Sequence, residues 1–236
     1  MTITKPVPGK LRRTADDIER ESGGTLRVEI IEGAPLATPT PSGRHALTTA
    51  RIRDALSARA AQHGLTTADT ISIPLPDDPD DYATPDLAVL PPSSLDTDER
   101  LIPGEEFILA VKVASPSESR PSIEVRSAWY SRALVPALLY VSPGAGEWML
   151  SSDPRGDGTW LTTSTGGYGE KITLPEPLGV LLTADLPRYG RVLVISMATR
   201  TSADVILLPR SMQRSTLRSG RRTVKRLRSS VMCELT

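Results

Sequence analysis

The chain has 236 residues, 39% hydrophobic and 4% aromatic, with 28 basic and 28 acidic side chains; one domain with extensions, or two small domains, fits that length. A single cysteine, Cys233, and two histidines exclude an internal disulfide framework and a thiolate zinc site. The opening MTITKPVPGKLRR lacks a signal peptide's apolar stretch, and no run reaches the roughly 18–20 apolar residues of a membrane span, so a cytoplasmic protein without a membrane partner is expected.

Taken in chain order, TADDIERES (14–22) reads as a short helix, with Thr14 as its cap and acids in its first turn. LRVEIIEG (26–33) alternates as a strand does, and APLATPTPSGR reads as a proline-broken loop. From Arg44 to about Ala61, apolar residues recur at three- and four-residue steps, which predicts an amphipathic helix. ADTISIPL (68–75) and DLAVL (86–90) are predicted strands separated by the acidic loop PDDPDDYATP. A long strand over 107–114, a helix over about 120–134 and a buried strand over 135–142 follow. EWMLSS, GTWLTTS and GEKITLP are expected to form a β-meander with DPRGDG and TGGYG as its turns. The tripeptide Arg155-Gly156-Asp157 is read as part of such a turn rather than as an adhesion signal. The order predicts an α/β fold, a mixed central β-sheet flanked by helices.

Charge divides the chain. Residues 191–236 hold ten Lys/Arg against two acids, leaving 18 basic and 26 acidic side chains in the remainder. The expected layout is an N-terminal extension (1–13), a compact domain (14–190) and a basic, poorly ordered C-terminal extension (191–236). Such a tail can bind nucleic acid through phosphates, which makes an interaction protein acting through it one functional alternative.

Several chemistries are set aside. His45 and His63 lie on or near the predicted helix with no nucleophile elbow elsewhere, so helix packing or surface exposure is expected of both. Gly166-Gly167-Tyr168-Gly169 lacks the Lys-Ser/Thr of a phosphate-binding loop. One constellation remains. Pro85-Asp86 opens a short strand, and Lys112 interrupts the apolar run of the long strand, on the same side as Ala110 and Ala114. The turn Ser115-Pro116-Ser117 follows, and then a helix bearing Arg126. An ammonium group inside such a strand must reach water or meet a carboxylate, because an unpaired buried charge costs several kcal/mol, roughly. If the two strands are neighbours, Asp86 and Lys112 face each other.

The blocks LRVEIIEG, PTPSGRHALTTARIRDAL, ISIPLPDDPDDYATPDLAVLP, AVKVASPSES, IEVRSAWYSRALVPALLYVSP and LPEPLG…LPRYG resemble, in order, the Uma-two family of restriction-endonuclease-like proteins with the PD-(D/E)XK nuclease fold. The resemblance spans roughly residues 14–190. It implies Mg²⁺-dependent DNA phosphodiester hydrolysis, in which an Asp and a Glu on adjacent strands bind the metal and a lysine serves the attacking water. Carried over, the catalytic positions are Asp86, Lys112 and Arg126, with Asp86 as the metal ligand; Lys112 stands where the family has Glu, and Arg126 where it has Lys. Ser122 and Ser142 stand where Asp is usual.

The expectation is therefore an impaired relative whose lysine pairs with Asp86 in place of the ion, with Mg²⁺ binding weakened or lost. An active Mg²⁺-dependent endonuclease with a rearranged site, recruiting Glu118 or Glu124, is the alternative, so the chain's standing as an enzyme stays open. DNA is the implied partner, a homodimer is one option for the assembly, and the Ala/Arg/Pro-rich composition suggests a GC-rich bacterial genome.

Overall fold

A computed structural model describes residues 9–116 and 118–190. The expectations for 191–236 and for most of the N-terminal extension lie outside the described residues.

Helix α1 (Lys10–Glu21) begins upstream of the expected Thr14 cap. Thr14 sits inside it, its hydroxyl donating to the Lys10 carbonyl at 3.0 Å. Strands β1 (Leu26–Ile31) and β2 (Ala34–Pro39) form an antiparallel hairpin, so part of the proline-broken stretch is a strand and not a loop. Glu32 and Gly33 both adopt positive φ, 55° and 71°, which suits the tight turn joining twisted strands. β2 is the outermost strand of its sheet, where Pro35 and Pro39 are tolerated.

Helix α2 (Gly43–Gln62) matches its prediction closely, with the Ser42 side chain accepting from the His45 backbone N–H. The expected strand over 68–75 is two short ones, β3 (Thr66–Ala68) and β4 (Ile73–Pro74), parted at Thr70, whose φ is 61°. The acidic loop ends in β5 (Tyr82–Ala83), followed by β6 (Leu87–Leu90), β7 (Leu109–Val113), α3 (Arg120–Arg132) and β8 (Ala137–Ser142). The described chain closes with β9 (Glu147–Pro154), β10 (Trp160–Gly167), β11 (Lys171–Thr173) and β12 (Val180–Leu182).

Six strands form the main sheet in the order β10-β9-β8-β7-β6-β3, and β2-β1-β5-β4 form a smaller one. β7 and β8 are parallel, joined through α3, and the other pairings in the main sheet are antiparallel. This is the mixed α/β architecture that the order of elements predicts. The meander differs from expectation: β11 leaves the sheet and pairs with β12. Burial explains the departure, because Ile172, Leu174, Leu178 and Leu181 are enclosed against Ile52, Leu56 and Ala60 of α2.

Alternation along β6 and β7 divides the core. Leu87, Val89, Leu109 and Val111 face α2. Ala88, Leu90, Ala110 and Ala114 face Trp129 and Tyr130 of α3, together with Ile31, Ile73 and Ala83 of the smaller sheet. Asp86 and Lys112 share the parity of this second set, so they point into the seam where the main sheet, the small sheet and α3 meet.

Candidate functional site

β7 lies between β6 and β8, so Lys112 is no edge residue. The β6–β7 register, Leu87 opposite Val111, brings Asp86 opposite Lys112. The lysine Nζ lies 3.8 Å from Asp86 Oδ2, but 3.5 Å from Glu29 Oε1 on β1, and it donates to the Thr84 carbonyl at 3.1 Å. Its side chain is 12% exposed, so it reaches these partners instead of snorkelling to water. The expected pairing with Asp86 is therefore shared, and the nearer carboxylate is Glu29.

Glu29 is the hub. Its Oε1 also accepts from the Thr84 N–H at 2.9 Å, and its Oε2 accepts from Arg126 Nη1. Burial alone would raise its pKa, yet the charges of Lys112 and Arg126, with the hydrogen bonds from Arg126 and the Thr84 N–H, hold it below the usual range. Arg126 is 6% exposed, and its Nε lies 3.1 Å from Glu118 Oε1. Burial would lower its pKa, but Glu29 and Glu118 raise it further above its already high ordinary value. Glu118 also accepts from the Tyr140 hydroxyl at 2.6 Å. Arg126 is thus neither a solvated helix residue nor free to serve as a phosphate contact.

At the other end, Asp86 Oδ2 accepts from the Val113 N–H at 2.8 Å, and Oδ1 lies 3.1 Å from His45 Nε2. Burial pushes the Asp86 carboxyl up, but Lys112, His45 and the Val113 N–H outweigh it and hold the group at about 2. The result is one chain of hydrogen bonds and ion pairs: Tyr140, Glu118, Arg126, Glu29, Lys112, Asp86, His45. It borders a cavity of about 800 Å³ that Ser122 also lines.

The other sequence candidates fall outside the chain. Glu124 pairs with Arg120 on the exposed side of α3. His63 is the C-terminal cap residue of α2, far along the helix from His45. Ser142 ends β8 opposite Glu147. Sequence reasoning missed Glu29 and gave His45 only a helix-packing or surface role. Glu29 gave little signal, because with Arg27 it falls on the polar positions of the alternating run LRVEII; only Ile31, apolar on that same parity, hinted that this face is covered.

This donor set does not fit a resident divalent ion. Each oxygen of Glu29 and Asp86 already faces a donor or a cationic side chain, and Lys112 puts positive charge between the two carboxylates. Among the described residues, no three His, Cys, Asp or Glu side chains converge so as to hold a metal. Nor is any helix among them long and apolar enough to cross a membrane.

Comparison with known proteins agrees with the architecture. A solved structure from Anabaena variabilis, described as a "putative nuclease belonging to DUF820", matches with a TM-score of 0.54 at 16% identity, covering 68% of this chain and 89% of that one. At that identity the likeness speaks for the fold. No curated protein matches. The model of the Uma2 family, described as "Putative restriction endonuclease", matches residues 15–186. With well over half of its length matched, this chain belongs to the Uma2 family.

Proposed function

We propose that this protein is a nuclease-fold member of its family in which internal ion pairs have replaced divalent-ion chemistry, leaving DNA hydrolysis absent or greatly reduced. The carrying observation is the Lys112 ammonium, 3.5 Å from Glu29 Oε1 and 3.8 Å from Asp86 Oδ2. Restriction-endonuclease-like families generally use Mg²⁺ to neutralise charge developing on the phosphate. Here a fixed monovalent cation occupies that electrostatic role between the carboxylates. An ammonium group has no open coordination position at which to activate water.

Arg126 supports the same reading. A guanidinium stays protonated at any working pH and cannot act as a general base. It lines the cavity, but its charge is already paired with Glu29 and Glu118. The rearranged-site alternative would require Glu118 or Glu124 as a ligand, yet Glu118 is committed to Arg126 and Tyr140, and Glu124 pairs with Arg120 on the exposed side of α3. What the cleft retains in this reading is a polar cavity beside an ion-paired seam, suited to holding the two sheets together and to weak contact with DNA in the cytoplasm.

The test is to incubate the purified full chain with supercoiled plasmid and Mg²⁺ or Mn²⁺. No conversion to nicked or linear DNA is expected. Metal-dependent cleavage that disappears in Asp86→Ala would overturn the proposal.

A further inference from the structure

β1 brings charge to the cavity twice. Arg27 and Glu29 share one face of the strand, the face on which Glu29 meets Arg126, while Val28 and Ile30 pack with Ala15 of α1 on the other. Two residues span about 7 Å of strand, so Arg27 stands that far along from the ion-paired seam, opposite Thr38 of β2. Four Arg or Lys side chains line the cavity of about 800 Å³: Arg27, Arg100, Lys112 and Arg126. Three are committed. Arg100 pairs with Asp16, Lys112 with Glu29 and Asp86, and Arg126 with Glu29 and Glu118. Half-buried Arg27 has no ion pair and no side-chain hydrogen bond among the described residues. Glu19, the lining carboxylate outside the seam, is taken by the Val28 N–H at 2.7 Å.

The surroundings of Arg27 add polar groups that await a partner. α2 and α3 both begin on the cavity: Ser42, the N-cap of α2, and Ser122, in the first turn of α3, line it, and neither first turn carries an acid. Free N–H groups and the helix dipole favour an anion at such ends. The Ser42 hydroxyl oxygen accepts from the His45 N–H, so its own proton is left to donate. A second observation is independent of the helix ends. His45 is 8% exposed and lines the cavity; its Nε2 faces Asp86, and its Nδ1 has no partner among the described residues.

We propose that Arg27 anchors a phosphate group that enters this cavity without a divalent ion. The inference rests on the proposed function, because carboxylates left unpaired for Mg²⁺ would repel a phosphate until the ion arrived. Here Lys112, Arg126 and His45 already face those carboxylates, and Arg27 is the cation left over. Its planar fork of N–H donors can hold two phosphate oxygens at once, which a lysine at the same place could not. The volume falls in the range of small-molecule sites. The ligand chemistry is thus a phosphate oxyanion, carried either by free phosphate or by the terminal phosphate of a nucleic-acid strand.

Phenylglyoxal, which modifies accessible guanidinium groups, tests this on the full chain in EDTA, with each arginine followed by mass spectrometry. Saturating inorganic phosphate or 5′-phosphorylated dithymidylate is expected to slow modification of Arg27 at least about tenfold. Exposed Arg51, on α2 and outside the cavity, is the reference and should be unaffected. Stronger protection by the dinucleotide identifies a strand terminus as the source; equal protection identifies free phosphate. Arg27→Gln should weaken dinucleotide binding at least about tenfold in calorimetry, with the melting temperature unchanged because no ion pair is lost. Arg27→Lys should recover part of the binding, since it restores the charge without the fork. Equal protection of Arg51 and Arg27, or binding unchanged in Arg27→Gln, overturns the proposal. Plasmid cleavage would overturn the proposed function; Arg27 left unprotected in a protein inert toward plasmid would overturn this inference alone.

Discussion

Lys112 on the main sheet and Glu29 on the small sheet approach to 3.5 Å, closer than Lys112 comes to Asp86 on the adjacent strand. The lysine therefore ties two sheets together and does not merely neutralise its neighbour. Glu29 receives Arg126 from α3 on its other oxygen, so three separate elements meet at one carboxylate. Buried ion pairs of this kind cost desolvation to assemble, and breaking one by removing a single partner is severe.

Lys112→Met is expected to destabilise the protein by about 3–5 kcal/mol, since two buried carboxylates would lose their shared cation. Glu29→Gln alone should also be damaging, because it leaves Arg126 with Glu118 as its one carboxylate partner and Lys112 with Asp86 alone. The double variant should recover part of the loss, with a coupling of about 0.5–3 kcal/mol in urea titrations. Strict additivity would show that the pair is not energetically joined.

Metal binding should follow the charge at position 112. Isothermal titration of Mn²⁺ into the wild type is expected to give no heat of binding at this seam. Lys112→Glu, combined with Arg126→Lys, should produce binding that Asp86→Ala removes. Equal behaviour of wild type and double variant would count against the inferred electrostatic exchange.

Acid stability should report Asp86. Its folded-state pKa of about 2 lies below its ordinary value of 3.8, so the stabilisation is complete above about pH 4 and fades as pH falls toward 2. At about 1.4 kcal/mol per unit, the contribution is on the order of 2 kcal/mol. Asp86→Asn should be less stable than the wild type at neutral pH and show a flatter decline between pH 4 and 2. Parallel stability curves would assign acid sensitivity elsewhere.

Trp129 Nε1 donates to buried Asp81 Oδ1 at 2.7 Å, and Asp81 Oδ2 accepts from the Gly33 N–H of the β1–β2 turn, also at 2.7 Å. Trp129→Phe removes one donor from a carboxylate that burial already pushes up in pKa. A loss of about 1–3 kcal/mol is expected, with Asp81 protonating at higher pH. Thermal melts across pH would detect both, and an unchanged melting temperature would refute the role of this bond.

The covalent order of residues determined the α/β class, the α2 and α3 helices and the oddness of Lys112, because local periodicity and an apolar run broken by one charge are visible without a fold. It also determined that Asp86 and Lys112 would be neighbours once β6 and β7 paired. It did not determine that Arg126 points inward: α3 has buried and exposed polar residues interleaved, and only its packing in the seam between the two sheets selects which are enclosed. Glu29 and His45 are separated from Asp86 by dozens of residues. The partnership of Glu29 with Lys112 exists only because the small sheet docks on the α3 side of the large one; that of His45 with Asp86 depends on where α2 begins. A charge's partner is set by distance and desolvation in space, and these are properties of the assembled fold.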